Sequence, residues 1–146
     1  MPSIIDADTH VDESEATWSS ITAPDYAPAA ITGDATSDPS AITPFGQRWW
    51  LVEGKKHPRA TRDDAHHPSL ERRQLDDVEG RLMDMDRMGV DKQVIFPTFF
   101  IRYGTADPDA EAAVAHAYNV WIAERCAASG GRLQWAAVLP FLDSDK

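Results

Sequence analysis

The residues best suited to chemistry lie at the start of the chain, in Ile4-Ile5-Asp6-Ala7-Asp8-Thr9-His10. Ile4 and Ile5 give the apolar side of a short strand that ends in a polar cluster. Residues two apart on a strand point to the same side, so Asp8 and His10 can converge on one ion. A carboxylate oxygen and an imidazole nitrogen both ligate Zn²⁺, and the carboxylate also suits Mn²⁺. Binding sites in α/β folds gather at the C-terminal ends of strands, where this pair lies. A bare Asp-x-His also has a plainer reading, in which Asp8 caps a turn and His10 is a surface residue. Two ligands alone do not complete a metal site.

Other groups offer supporting roles. Asp6 points with Asp8 by the same period and is expected first as a structural hydrogen-bonding group. Glu13 can orient a ligand from behind or, equally well, cap a turn or helix start. Thr98-Phe99-Phe100-Ile101-Arg102-Tyr103-Gly104 sets aromatic rings beside a guanidinium. Arg102 can grip a substrate carboxylate through its planar fork; the plainer arrangement packs Phe99 and Phe100 and leaves Arg102 solvated. His57, His66 and His67 read as surface-loop residues, and His116, between Ala115 and Ala117, as an exposed helical one. Asn119 is expected to bond a neighbouring loop. Cys126 is the single cysteine, which excludes an internal disulfide, and its alanine-rich surroundings make it a small core residue.

The elements that must position these groups follow from pattern and punctuation. Residues 12–75 carry most of the prolines, several Thr-Ser-Asp-Gly clusters and no sustained helical period. Trp18, Tyr26, Phe45, Trp49, Trp50 and Leu51 are too many large apolar groups for a free linker, so this stretch is expected to pack over the domain. Within it, Trp49 to Lys56 reads as a β-hairpin with Glu53-Gly54 at the turn. A helix is expected from Asp76, with Glu79 completing a capping box, an inner stripe of Val78, Leu82, Met85 and Met88, and Gly89 as the C-terminal stop. Gln93 to Pro97 reads as a buried parallel strand. Asp107-Pro108 opens a second helix with Val114, Ala117, Trp121, Tyr118 and Ile122 inward, stopped at Ser129-Gly130-Gly131. Leu133, Trp135, Ala137 and Leu139 alternate along a third strand that ends at Pro140. Strand, long loop, helix, strand, helix, strand is the order of an α/β protein with a parallel sheet and right-handed crossovers.

Composition narrows the classes of partner. A chain of 146 residues suffices for one domain with a core, and 42% apolar with 26% charged residues fits a soluble globular protein. Fourteen Lys and Arg against 24 Asp and Glu give a net charge of -10, which argues against nucleic acid and anionic membranes as partners. The start has neither the basic nor the apolar region of a signal peptide, and no apolar run approaches the roughly 18 residues that span a bilayer. A cytoplasmic protein is expected.

Taken together, Ile5-Asp6-Ala7-Asp8-Thr9-His10-Val11-Asp12-Glu13 resembles the opening of the amidohydrolase-related family of metal-dependent hydrolases and non-oxidative decarboxylases, similar to aminocarboxymuconate semialdehyde decarboxylase. Arg81 to Asp91, with its Gly89-Val90-Asp91 exit, Val94 to Thr98, Ala117 to Ala123 and Gly131 to Pro140 resemble the helices and strands that follow in that family. The resemblance implies the N-terminal part of a TIM (β/α)8 barrel: a first strand, a long insertion with a hairpin, then helix, strand, helix and strand. It implies a divalent metal, zinc first and manganese as the variant, on Asp8 and His10. Asp6 and Glu13 would support those ligands and Arg102 would meet substrate. It also lets the long loop bring a histidine toward the barrel mouth. In relatives a further histidine and aspartate come from later strands. A full barrel takes about 250 residues, so residues 1–146 are expected to form an incomplete barrel domain, inactive alone. The complete protein would act by hydrolysis or decarboxylation on a small carboxylate-bearing or cyclic substrate. The alternative is a small non-catalytic α/β binding protein derived from that family. Open strand edges make a homo-oligomer an expectation in either case.

Overall fold

Local signals set most element ends. In the computed structural model, which describes residues 3–32, 48–59 and 67–143, the elements are β1 (Ile5–Val11), a 3₁₀ turn (Glu15–Trp18), β2 (Ala29–Thr32), β3 (Arg48–Val52), β4 (Lys55–Pro58), α1 (Leu70–Arg73), α2 (Val78–Met88), β5 (Lys92–Pro97), a second 3₁₀ turn (Phe99–Ile101), α3 (Pro108–Ala127) and β6 (Leu133–Trp135). Asp107 caps α3 by accepting from the N–H groups of Asp109 and Ala110 at 2.9 and 3.4 Å, with Pro108 at the first turn. Gly89 closes α2 in the left-handed region at φ 70°, as expected. The cap of α2 is Asp77, one residue later than expected, its carboxylate accepting from Gly80 N–H at 2.8 Å. Asp76 instead pairs with Arg125 on α3 at 3.1 Å.

The strands form two sheets. Strands β1, β5 and β6 run parallel in the order β1-β5-β6, which is the α/β arrangement the sequence predicts. Three strands make an open sheet among the described residues, and they do not form the expected barrel. Strands β2, β3 and β4 form a small antiparallel sheet. Its β3–β4 hairpin turns at Glu53 and Gly54, both at positive φ (51° and 71°), as a two-residue hairpin turn requires.

The 12–75 stretch is more regular than expected. It holds β2 and α1 besides the hairpin, because β3 offers a free edge to β2 and Arg72 of α1 is drawn to Asp84 at 2.8 Å and Asp77 at 3.2 Å. Phe45 and His66 lie outside the described residues. Its described parts pack on the domain as predicted: Trp18 and Trp50 are buried and meet edge-to-face at 5.9 Å, with Trp18 4.8 Å from Phe99.

The third strand is shorter than its alternation predicts. Its last ladder bond is Ala136 N–H to the Ile95 carbonyl at 3.0 Å, after which β5 reaches Pro97 and turns away. Asn119 of α3 then stands in for a strand, donating to the Val138 carbonyl at 2.7 Å and accepting from Val138 N–H at 2.9 Å. The core lies on one side of the parallel sheet, where Val11, Ile95 and Leu133 meet Met85, Val114, Tyr118, Trp121 and Ile122. The other side is open, with Ile5 56% exposed. No described helix is long and apolar enough to cross a membrane.

Candidate functional site

Strand β1 does not run evenly along its partner. Ile5 and Asp6 pair with Lys92 and Gln93, whereas Thr9, His10 and Val11 pair with Ile95, Phe96 and Pro97. One extra residue in β1 therefore forms a bulge between Asp6 and Thr9, and a bulge re-aims the side chains that follow it. Asp6 consequently sits with Thr9, on the helix-covered side, and not with Asp8 as strict alternation predicts.

A polar chain holds the bulge from behind. Asp6 Oδ2 accepts from the Thr9 hydroxyl at 2.6 Å and from Gln93 Nε2 at 3.3 Å, while Oδ1 accepts from Asp8 N–H at 3.1 Å. The Thr9 hydroxyl, first among its neighbours, holds the Asp6 carboxyl below the usual carboxylate range. Gln93 Oε1 in turn accepts from Arg81 Nε at 3.0 Å, and Arg81 also donates to the His10 carbonyl at 3.4 Å and the Arg72 carbonyl at 3.3 Å. Arg81 is 8% exposed. Arg81 and Gln93 were not singled out by sequence reasoning; the available signals were an arginine beside the apolar stripe of α2 and a glutamine opening an apolar strand.

On the open side, Ala7, Asp8, His10, Phe96, Pro97, Phe100 and Ile101 line a groove of ≈ 410 Å³. Asp8 and His10 are both exposed and border this same groove, with the His10 ring 6.1 Å from Phe96. The donor set is right in kind for a divalent metal and short in number. Among the described residues no group of three His, Cys, Asp or Glu side chains could hold an ion, whereas a catalytic zinc takes about three protein ligands and a water.

The remaining candidates are distributed around this groove. Glu13 is buried and accepts from the N–H groups of Thr98 and Phe99 at the start of the second 3₁₀ turn. Burial pushes its carboxyl up to about 8. Arg102 is exposed just past Ile101 and is not among the groove-lining residues. His57, expected at the surface, is half-buried beside Tyr103 and Phe99, at 5.3 and 6.4 Å between rings. His116 is exposed, and Cys126 is buried with its thiol pushed up to about 11 by that burial. The walls that sequence reasoning did not assign to the site are Phe96, Phe100 and Ile101.

No family model and no curated protein matches this chain. Among solved structures, it is similar to the crystal structure of an amidohydrolase from Mycobacterium avium subsp. paratuberculosis K-10, with a TM-score of 0.62 at 15% sequence identity. The match covers 94% of this chain and 42% of that one, so this chain spans less than half the length of that structure. At such identity the likeness is one of fold, and the fold is amidohydrolase-like.

Proposed function

We propose that this chain forms the first strands of an amidohydrolase-type barrel and supplies the first-strand half of a divalent-metal site through Asp8 and His10. The observation that carries this reading is their convergence on one groove at the C-terminal end of β1, in a fold similar to that of an amidohydrolase. Bound there, a zinc or manganese ion would lend Lewis acidity toward a substrate oxygen, which serves either hydrolysis or decarboxylation. The chain's own contribution is positional. Asp6, Thr9, Gln93 and Arg81 hold the bulge that aims Asp8 and His10 outward. Phe96, Phe100 and Ile101 offer apolar walls to a small organic substrate. Further ligands would come from polypeptide outside these strands, whether more of the same protein or another chain. A solvated Arg102 next to the groove is available to a substrate carboxylate only if its loop turns inward.

Titration calorimetry of the full chain with Zn²⁺ and with Mn²⁺ tests the ligand pair. Binding to the wild type and its loss in the Asp8→Ala/His10→Ala variant is the expected result. Equal binding by both proteins overturns the assignment. A second reading, a non-catalytic binding protein, draws on the open sheet side, where Ile4 and Ile5 are 57% and 56% exposed. It predicts no metal-dependent difference between the two proteins.

A further inference from the structure

One buried carboxylate connects the strand of Asp8 and His10 to the wall of the groove. Glu13 follows β1 and is 3% exposed. Its Oε1 accepts from Thr98 N–H at 2.8 Å and from Phe99 N–H at 3.1 Å, and its Oε2 accepts from Phe99 N–H at 3.0 Å. These N–H groups open the 3₁₀ turn Phe99–Ile101, whose own cap residue, Thr98, makes no side-chain capping bond. Glu13 thus supplies the missing cap from a different element. The turn it grips carries Phe100 and Ile101 into the groove and plants Phe99 between Trp18 and Tyr103, at 4.8 and 4.7 Å.

We infer that Glu13 is the positioning residue of this wall, a proton-operated latch that grips the Thr98–Phe99 pair of N–H groups when ionised and loosens its hold on Phe99 when protonated. An ionised carboxylate only accepts, so both oxygens can hold N–H donors. A proton on Oε2 weakens the 3.0 Å bond that this oxygen accepts from Phe99 N–H, while Oε1 keeps Thr98 and its own 3.1 Å bond from Phe99. The turn is then held by one oxygen in place of two.

The surroundings set when this happens. From its own segment, the negative Asp12 opposes ionisation. From the end of β4, Arg59 feels the Glu13 charge as an attraction. From α3 comes Tyr118, buried with its hydroxyl lacking a hydrogen-bond partner among the described residues and its phenol pushed up first by burial and then by the Glu13 charge. The two turn N–H groups favour the anion, but burial outweighs them and moves proton exchange to about 8, far above the usual carboxylate range.

The test is a pH titration of the isotope-labelled full chain by NMR, with a chelator present. The amide protons of Thr98 and Phe99 are expected to move with one shared midpoint above neutrality, and the side-chain signals of Phe100 and Ile101 to move with it. Glu13→Gln abolishes all four titrations while the signals of Val114 and Leu133 stay in place. If that variant does not fold, the Glu13 carboxyl carbon of the wild type carries the test, since its midpoint must match those of the two amides. Amides that titrate in the ordinary carboxylate range, or not at all, overturn the latch. Amides that move while Phe100 and Ile101 stand still overturn its coupling to the groove.

Discussion

Asp6 shows how much one side chain can decide in this molecule. By accepting from Asp8 N–H and from the Thr9 hydroxyl, it fixes the extra residue of β1 in the conformation that sends Asp8 and His10 toward the groove. Asp6→Ala removes those acceptors and leaves the Thr9 hydroxyl and Gln93 amide to find water. The expected loss is about 1 kcal/mol, the usual worth of such bonds at a partly buried site, read from urea unfolding. The pH dependence of that loss has a definite sign. The folded carboxyl is held below its unfolded value, so its contribution is present above the ordinary carboxylate range and fades as pH falls through the folded value. The wild type and Asp6→Ala should therefore converge in stability in strong acid. A gap that stays constant down to that range would remove Asp6 from this role. Glu13 runs the opposite way: its folded value is raised to about 8, so its effect on stability declines as pH climbs from the ordinary carboxylate range toward 8. Glu13→Gln should abolish that decline, and an unchanged pH profile would refute it.

At the scale of elements, what the sequence reveals depends on how local the cause is. Glu53-Gly54 signals a hairpin because the turn is made by those two residues alone, and Asp107-Pro108 signals a helix start for the same reason. The bulge in β1 has no such signal, since it exists only in the register with β5. Asp8 and His10 still share a groove as strict alternation predicts, while Asp6 does not join them. Strand β2 and helix α1 escaped for a related reason: Ala29–Thr32 extends on an edge that β3 provides, and α1 is held by the ion pairs of Arg72 with Asp77 and Asp84. Two glycines separate local from non-local causes experimentally. At Gly54, φ is +71° and a Cβ would meet nothing within 4 Å, so Gly54→Ala should cost only the left-handed penalty of about 1 kcal/mol. At Gly80 a Cβ would run into the Asp77 carboxylate that caps α2 and into Arg72. Gly80→Ala must therefore break the cap and should cost more than Gly54→Ala. Thermal unfolding of the two variants decides, and equal costs would contradict this ranking.

For the whole molecule, the balance lies between an open sheet and a large charge. Among the described residues the parallel sheet has β1 and β6 at its edges and helices on one side only, and the exposed Ile4, Ile5, Leu139 and Phe141 add apolar area. Edges and apolar patches of this kind favour association. Against them stands a net charge of -10, which makes copies of the chain repel one another at neutral pH. Repulsion of that origin vanishes near the isoelectric point of ≈ 4.7, whereas hydrophobic attraction does not. The chain should therefore be smallest in light scattering at neutral pH and low salt, and grow as pH approaches the isoelectric point or as salt screens its charge. Ile5→Lys places a cation on the exposed end of an edge strand and should reduce the salt-induced growth at neutral pH, where the added cation takes only one unit from the net charge. If association is indifferent to Ile5→Lys, the open side of the sheet is not the surface through which copies meet, and the driving surface must be sought at Leu139 and Phe141. If the chain stays the same size at its isoelectric point, charge is not what keeps copies apart.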